Sequence, residues 1–249
     1  MHEELHALLP LLHAPRTERI ANRTFHTGHI HGRPVVLVLS GIGKVAAAAT
    51  AAVLLQEFGA AALVVTGVAG GLAAQVRVGD VVVARHLLQH DLDVSPLFAR
   101  YVVPSSGRAR FATATELTDG LAAAAGACLA GLHARLGRAL VAKLGLTGPA
   151  RLHDGLVVSG DQFVSNRTQS AALRAALPEA LAVEMEGAAV AQVCADFDCP
   201  MAVIRTISDR ADDAAHVDFK AFIEEVASAY THDIVDTWLR GAAPSNPLA

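Results

Sequence analysis

The sequence predicts a three-layer α-β-α protein, in which helices cover both faces of a mixed, mostly parallel central sheet. The first observation is that short apolar runs, typical of buried strands, alternate along the chain with alanine-rich stretches typical of helices. The second is composition: 53% of the 249 residues are hydrophobic and the mean hydropathy is +0.39, which allows a large buried core. Such alternation favours parallel pairing, because each helix crosses over between two strands.

The first half of the chain contains three predicted strands and one predicted helix. Residues 35–40 are apolar and stop at two glycines, and residues 44–58 are alanine-rich without glycine or proline, which predicts a helix. The runs at 62–66 and 81–84 are short and apolar, as expected for buried strands. Residues 95–110 carry two prolines and predict an irregular connection.

From residue 118 onward the alternation continues. Residues 118–136 predict a long helix, and the last helix, 218–239, carries apolar side chains three and four positions apart. Between them we expect strands and helices in turn, at 156–159, 169–177, the run ending at Glu184, 187–197 and the run ending at Asp209. We expect one domain over residues 1–240, followed by a disordered tail at 241–249, which has two prolines and no periodicity.

The charge distribution favours a small-molecule ligand. The formal net charge is −4, the isoelectric point is about 6.3, and no basic run is present to attract nucleic acid or an anionic membrane. No apolar stretch predicts a membrane span, and the acidic N-terminus does not resemble a secretory signal. Three cysteines without zinc or redox spacing argue against a disulfide framework. We therefore expect a cytoplasmic protein whose thiols are buried and inert.

Two acidic segments near the C-terminal end indicate the position of a site. Glu186 closely follows an apolar run at 182–183, and Asp209 follows another that begins at residue 201. In open α/β sheets, ligands bind beyond the carboxyl ends of the strands. We therefore expect Glu186 and Asp209 to line one pocket.

Several motifs with known chemistry are incomplete. Residues 67–71 follow a strand but lack the G-x-G-x-x-G spacing and an acidic partner, which argues against a dinucleotide. Gly43 and Lys44 lack the first glycine and the hydroxyl of a P-loop, and no G-x-S-x-G motif of a serine hydrolase is present. We expect these glycines to form turns at strand ends, either approaching a ligand with their amides or serving as tight turns only.

A histidine pair raises the question of a metal site. His86 and His90 lie four residues apart, and Asp91 and Asp93 follow directly. The H-E-x-x-H motif is absent, and the local pattern is that of a strand running into a loop. A hydrogen-bonded loop anchor is the more common role of such a cluster, so we predict no metal and no cofactor.

Seven short motifs occur in a defined order, at residues 40–46, 66–71, 78–82, 90–94, 159–164, 183–186 and 207–209. In this order they resemble the bacterial 5'-methylthioadenosine/S-adenosylhomocysteine nucleosidases, and the resemblance covers almost the whole chain. The purine nucleoside phosphorylase superfamily shares the fold, whereas this combination of motifs resembles the nucleosidase branch. The fold that the resemblance implies is therefore nucleoside phosphorylase-like.

The resemblance implies hydrolysis of the N-glycosidic bond between adenine and a 5'-thio-substituted ribose. By this likeness Asp209 is the general acid that protonates the departing adenine, with Ser208 orienting its carboxyl group. Glu186 holds the ribose hydroxyls. Glu4 positions or deprotonates the attacking water, and Arg205 helps to fix that water and its carboxylates.

The resemblance also implies which residues surround the nucleoside. Phe163 stacks on adenine, the backbone of Val164 contacts the edge of the base, and Met185 packs against the sugar. The other implied ligand contacts are Glu184, Ile42, Phe219, Val68 and Gly70, and Leu97 or Phe98 reaches into the site of a partner subunit. The implied assembly is a homodimer in which the partner loop closes the pocket.

Two features depart from the family pattern. Family members carry a short apolar strand before the segment that contains Glu4, whereas this sequence begins inside that segment. We therefore expect the first strand to be missing, a gap beside its neighbours, and a Glu4 that frays with the terminus, and we expect the true start to lie upstream. Val68 stands where close relatives often have serine, which predicts modestly altered water or ribose contacts.

Three alternatives remain open. A nucleoside phosphorylase of the same fold would need arginines around a phosphate pocket near the glycines, and residues 67–71 contain none. Enzymes that act on futalosine-type nucleosides have similar motifs. A non-catalytic nucleoside-binding protein is disfavoured, because Asp209, Glu186 and Arg205 occur together.

Overall fold

The computed structural model describes residues 1–136, 141, 146, 148–211 and 222–241. The helices are α1 (His2–Leu8), α2 (Lys44–Gln56), α3 (Thr115–Leu136), α4 (Arg167–Ala176), α5 (Gly187–Asp196) and α6 (Ser228–Gly241). The strands are β1 (His13–Ile20), β2 (Arg23–Ile30), β3 (Arg33–Val38), β4 (Leu63–Gly71), β5 (Val81–Gln89), β6 (Phe111–Ala112), β7 (Leu152–Ser159), β8 (Ala180–Glu184) and β9 (Met201–Asp209). A 3-10 turn (Leu9–Leu11) follows α1, and a π-helical turn (Ile223–Ala227) precedes α6.

The central sheet has six strands in the order β6-β5-β7-β8-β4-β9. Strand β9 also pairs with β5, so the sheet closes on itself. The pairings β5–β7, β7–β8 and β4–β9 are parallel, whereas β4–β8, β5–β6 and β5–β9 are antiparallel. The α/β fold with a mixed central sheet is confirmed. Most of the paired residues stand in the three parallel ladders, because each antiparallel pairing spans only two or three residues.

A second sheet consists of β1, β2 and β3, joined as antiparallel hairpins. Both connections are two-residue turns, at Ala21-Asn22 and His31-Gly32, and all four residues have positive φ. This is the backbone that two-residue hairpins require, and Asn and Gly adopt it at low cost. The sequence predicted the strand near residue 35 but not the two strands before it.

Helices pack on both faces of the central sheet, as the alternation of residues along β9 makes clear. Met201 and Val203 point into a cluster with α2 and α5, whereas Ala202 and Ile204 point into a cluster with α3 and α6. Successive side chains of a strand face opposite sides, so a strand with two apolar faces lies in the middle of a layered core. All nine residues of β9 are buried.

Strand β4 extends further than expected. The sequence predicted that it would end near residue 66 and that residues 67–71 would form a turn. In the structure these residues belong to β4 and continue its pairing with β9. The expectation was wrong because the glycines serve to make room for neighbouring side chains, as described below, and not to reverse the chain.

The predicted tail lies almost wholly outside the described residues: Gly241 is the last residue of α6, and 242–249 are not described. The cysteines are free thiols, and burial raises the pKa of Cys194 to about 12. Within the described ranges, no helix is both long and apolar enough to cross a membrane.

Candidate active site

The predicted catalytic strand ends meet around one residue of β4. Gly70 pairs with Val183 of β8 on one side and with Asp209 of β9 on the other. Strand β9 runs parallel to β4 and β8 runs antiparallel to it, so the C-terminal ends of β8 and β9 approach Gly70 from opposite directions. This arrangement brings Glu184 and Asp209, which are 25 positions apart in the sequence, to neighbouring positions.

The Asp209 carboxylate is almost completely enclosed, with 2% of its surface exposed. The Ser208 hydroxyl donates to its Oδ2 at 2.9 Å, and the backbone N–H of Ala211 donates to its Oδ1 at 2.8 Å. Both oxygens are thus held by the adjacent chain. Ser208 is itself buried.

Arg205 is the cation at the centre of the site. Its guanidinium is buried, forms an ion pair with Glu184, and lies 3.6 Å from Oε2 of Glu186. Burial alone would lower the pKa of this group. The charges of Glu184, Glu186 and Glu4 outweigh that effect and raise the pKa above its usual value.

Glu184 anchors the start of α5. Besides Arg205, its carboxylate accepts hydrogen bonds from the Ser159 hydroxyl and from the backbone N–H groups of Glu186 and Gly187, the latter two at 3.1 and about 3.0 Å. A carboxylate at a helix N-terminus satisfies amides that have no partner inside the helix. Glu184, predicted from resemblance to contact the ligand, is thus surrounded by donors from the protein.

Glu186 is the half-buried carboxylate that precedes α5. The backbone N–H of Gly43, at the start of α2, donates to its Oε1 at 3.0 Å. Burial raises the pKa of Glu186 above its usual value; the Arg205 charge opposes this, and the nearby Glu184 charge adds to it. The side chain of Glu186 is more exposed to solvent than that of either Glu184 or Asp209.

Glu4 reaches the same site from α1. It is 3% exposed and accepts a hydrogen bond from the Thr231 hydroxyl of α6 at 2.8 Å, while the amino group of Met1 lies 2.7 Å from its other oxygen. The expectation that Glu4 would fray with the terminus is wrong in this structure, because α1 packs on α6 and buries the side chain. The hydroxyl of Thr66 lies 3.3 Å from that of Thr231.

Two glycines of β4 make room for side chains of β9. A Cβ atom on Gly67 would overlap Nη1 of Arg205, and one on Gly70 would lie 2.9 Å from Oδ1 of Asp209. Both contacts are closer than normal, so any other residue at 67 would displace the guanidinium. Glycine is required here for the space it leaves.

The predicted ligand-contact residues lie on several segments. Phe163 and Ile42 are exposed, Val164 is buried, and Met185 is half-buried beside Glu186. Val68 packs against the core cluster of α3 and α6. Leu97 and Phe98 are exposed, at 83% and 43% of their surface. Phe219 lies outside the described residues.

The histidine pair does not converge. His86 is exposed on β5 and pairs with Ala112, whereas His90 is buried after the end of the strand. Among the described residues, no group of three His, Cys, Asp or Glu side chains is placed to hold a metal ion.

Three residues with clear roles in this geometry had no role assigned from the sequence. Ser159 and Thr231 donate to Glu184 and Glu4, respectively, and Lys44 connects the start of α2 to two other segments. Ser159 and Lys44 stand in motifs that the resemblance used, which was the available signal. Thr231 lies in the last helix, where only its apolar neighbours had been noted.

The fold and the cluster of carboxylates around a buried arginine define the class of the protein. A family model described as the phosphorylase superfamily matches residues 1–240, and the chain belongs to that superfamily. The 5'-methylthioadenosine/S-adenosylhomocysteine nucleosidase of Chromohalobacter salexigens is 36% identical over 228 residues, covering 92% of this chain and 89% of that protein. Within the superfamily, the chain thus belongs with these nucleosidases.

Solved structures give the same result. The nucleosidase of this type from Neisseria meningitidis, in complex with methylthio-immucillin-A, is 34% identical with a TM-score of 0.83, covering 97% of this chain and 96% of that one. A futalosine hydrolase mutant of Helicobacter pylori is 30% identical with a TM-score of 0.80, covering 97% and 96%. The chain is therefore similar to enzymes named for different nucleosides.

Proposed function

We propose that the protein hydrolyses the N-glycosidic bond of 5'-methylthioadenosine and S-adenosylhomocysteine, and that it releases adenine and the 5'-thioribose. The observation that carries the proposal is the enclosed Asp209 carboxylate beside the cluster of Glu4, Glu184 and Glu186 around Arg205. Similarity to a nucleosidase that covers about nine-tenths of both chains supports it.

Asp209 acts as the general acid. Departure of adenine leaves an electron pair on the ring, and a proton delivered to the imidazole part of the base makes it a better leaving group. General acid catalysis of this kind contributes about 10²- to 10⁴-fold in rate. The Ser208 hydroxyl and the Ala211 amide hold the carboxyl group in one orientation, so its proton is presented in a fixed direction.

The other carboxylates act on the sugar and the water. Positive charge develops on the ribose as the bond breaks, and negative charge fixed nearby stabilises it. Glu186 holds the ribose hydroxyls at a point where Gly43 and Arg205 already orient it. Glu4 positions or deprotonates the attacking water, and Arg205 keeps the carboxylates from repelling one another.

The base and the sugar are enclosed by apolar side chains from separate segments. Phe163 stacks on adenine, with the backbone of Val164 at the edge of the base, and Met185 and Ile42 pack against the sugar and its substituent. Phe163 and Ile42 are exposed, as expected of side chains that become covered only when a ligand binds. Phe219, Val68 and Gly70 complete the proposed ligand surroundings.

Hydrolysis is favoured over phosphorolysis by the state of Arg205. A phosphorylase needs cationic side chains free to bind phosphate near the glycines of β4. Arg205 is the arginine that packs against Gly67, and its guanidinium is already paired with Glu184. We therefore propose that water, and not phosphate, is the acceptor.

The test is the release of adenine from methylthioadenosine and S-adenosylhomocysteine, with and without phosphate, with inosine as a control nucleoside. We expect equal release in both buffers, since water is the acceptor, and little reaction with inosine. Release that requires phosphate would identify a phosphorylase instead. A futalosine-type nucleoside belongs in the same series, because the similarity to a futalosine hydrolase makes it the alternative substrate.

We propose that the working form is a homodimer. Leu97 and Phe98 form an exposed apolar pair on the segment after β5, and contact with a partner subunit would remove this apolar surface from water. By resemblance, this segment closes the pocket of the partner subunit. Sedimentation at micromolar concentration measures the mass directly, and a monomer there would count against this assembly.

The single domain at 1–240 and the cytoplasmic location stay predictions from the sequence.

We also propose that a further strand belongs between the two sheets. A cavity of about 1530 Å³ is lined by residues of both β3 and β4. Within the described ranges, β3 pairs only with β2, and residues 63–69 pair only with β9. Two facing edges with apolar linings suit an extended segment that pairs with both, as expected for the first strand that resemblance implies.

Adding a strand of five or six apolar residues ahead of Met1 tests this idea. We expect a higher free energy of unfolding in urea and faster adenine release, because the strand would fill the cavity and support α1, which carries Glu4. A polar extension of the same length is the control. Equal stability of the two extended proteins would contradict the proposal.

A further inference from the structure

Three segments that border the site are joined by a closed ring of hydrogen bonds. The backbone N–H of Lys44 donates to Oδ1 of Asp161 at 2.7 Å, and the backbone N–H of Asp161 donates to Oδ2 of Asp91 at 2.8 Å. The Lys44 ammonium donates to Oδ1 of Asp91 at 2.6 Å, which closes the ring. Lys44 and Asp161 each take part through the backbone N–H and the side chain, and Asp91 takes part through its two carboxylate oxygens. We call these residues the Lys44–Asp91–Asp161 ring.

Each member of the ring begins or precedes a segment with a proposed role in binding. Lys44 starts α2 directly after Ile42 and Gly43, whose N–H holds Glu186. Asp91 opens the segment after β5, which continues to the exposed pair Leu97 and Phe98. Asp161 follows β7 and stands two residues before Phe163. The ring therefore joins the three segments that would cover the sugar, the base, and the nucleoside pocket of the partner subunit.

The contacts of the ring are tight. A Cβ on Gly43 would lie 3.0 Å from Oδ1 of Asp161, so the two segments approach as closely as a glycine permits. Lys44 also donates to the amide oxygen of Gln89 at 3.2 Å, and Gln89 in turn donates to Gln192 of α5 at 2.7 Å. The lysine is thus held from two directions.

The ion pair is only partly buried, with 17% of the Lys44 side chain and 23% of the Asp91 side chain exposed. Burial alone would raise the pKa of Asp91, but the Lys44 ammonium and the Asp161 N–H lower it below its usual value. A pair this exposed contributes little to the stability of the whole protein. Its larger effect is local, because it restricts three otherwise separate segments to one relative arrangement.

We propose that Lys44, Asp91 and Asp161 are positioning residues, which hold the three nucleoside-binding segments at the separation that the bound nucleoside requires. The inference rests on the function proposed above. Without the ring, the segments must be ordered again at each binding event, which weakens substrate binding. A displacement of about 1 Å at such a site lowers kcat/KM by up to about 100-fold.

The test uses two variants, which open the ring at one and at two of its three bonds. Lys44→Met removes the ammonium that donates to Asp91 but keeps the backbone N–H that donates to Asp161. Asp91→Ala removes the carboxylate that accepts from the Lys44 ammonium and from the Asp161 N–H. We expect each to raise KM for methylthioadenosine about tenfold or more, with a smaller change in kcat, because Asp209 and its partners are untouched. Lys44→Arg, which retains a cation, should recover part of the loss.

The matched control is Arg85→Met in the middle of β5, which also removes a cation from an ion pair. Arg85 pairs with the exposed carboxylates of Asp119 and Asp154, which belong to none of the three segments. This variant should leave KM unchanged. The double variant Lys44→Met/Asp91→Ala should be no worse than the more affected single variant, because both open the same ring. Additive losses, or an unchanged KM in both single variants, would overturn the inference.

The wild-type protein is assayed beside the variants, which separates the two proposals. No adenine release by the wild type would refute the proposed function. Wild-type release together with an unchanged KM in both single variants would refute the positioning role of the ring alone. If a variant unfolds at markedly lower urea concentration than Arg85→Met does, the ring is structural, and an intact KM for the folded fraction would then reject the positioning role.

Discussion

Replacing Asp209 with asparagine is expected to lower kcat for adenine release by about 10²- to 10⁴-fold. Asparagine has nearly the same shape as the acid. Its oxygen can accept the hydrogen bond from the Ala211 N–H, and its NH₂ group can donate to the Ser208 hydroxyl, which then acts as the acceptor. It has no acidic proton to give to the departing base. The variant should therefore fold and bind nucleoside normally while failing at the chemical step.

The measurement is steady-state adenine release by Asp209→Asn at saturating methylthioadenosine, with KM from the same series. Asp196→Asn is the control, since it makes the same change at an exposed position at the end of α5. We expect the control to match the wild type. An Asp209→Asn protein that keeps more than a tenth of the wild-type kcat would show that another group delivers the proton.

Replacing Arg205 with methionine is expected to destabilise the protein by about 3–5 kcal/mol and to abolish most activity. The guanidinium is the buried cation between Glu184 and Glu186, and its charge also acts on Glu4. Methionine occupies a similar volume but leaves these carboxylates without compensation. Removing one member of a buried ion pair is costly mainly because the other charge stays buried.

Urea unfolding of Arg205→Met measures this loss directly. In the companion variant Arg205→Met/Glu184→Gln, part of the lost stability should return, because the second change removes the uncompensated charge. Arg240→Met provides the contrast: its ion pair with Asp236 is exposed, and a loss of less than about 1 kcal/mol is expected. Equal unfolding midpoints for Arg205→Met and Arg240→Met would contradict the central role of the buried pair.

The sequence predicted the strands that end at Glu184 and Asp209 because both begin as apolar runs. All their residues except the partly exposed Leu181 are buried, so hydrophobicity indicates where these strands lie. The sequence did not predict β1, because seven of its eight residues are exposed and the strand has no apolar face. This strand is defined by the hairpin turns that pair it with its neighbour, and these turns need positive φ. Asn22 and Gly32 were the only residues in the turns whose type indicated such a backbone.

The sequence predicted the position of the site better than the contacts that each residue makes within it. Resemblance pointed to Glu184 as a ligand contact, whereas its oxygens accept bonds from Ser159, Arg205 and the start of α5. Likewise, the sequence predicted that Gly67 belongs to a turn, whereas it lies in strand β4 and makes room for Arg205. Both outcomes depend on contacts between segments far apart in the chain, which local patterns do not encode.

The pairing of β9 on both sides has a consequence for how the reaction is organised. Its hydrogen bonds run to β4 along its full length and to β5 at residues 204–206, so the strand that ends in Asp209 is tied into the closed sheet. Shifting the acid toward a substrate would require these ladders to slip. We therefore expect the proposed proton donor to stay fixed, so that the loops around the site bring the nucleoside to it.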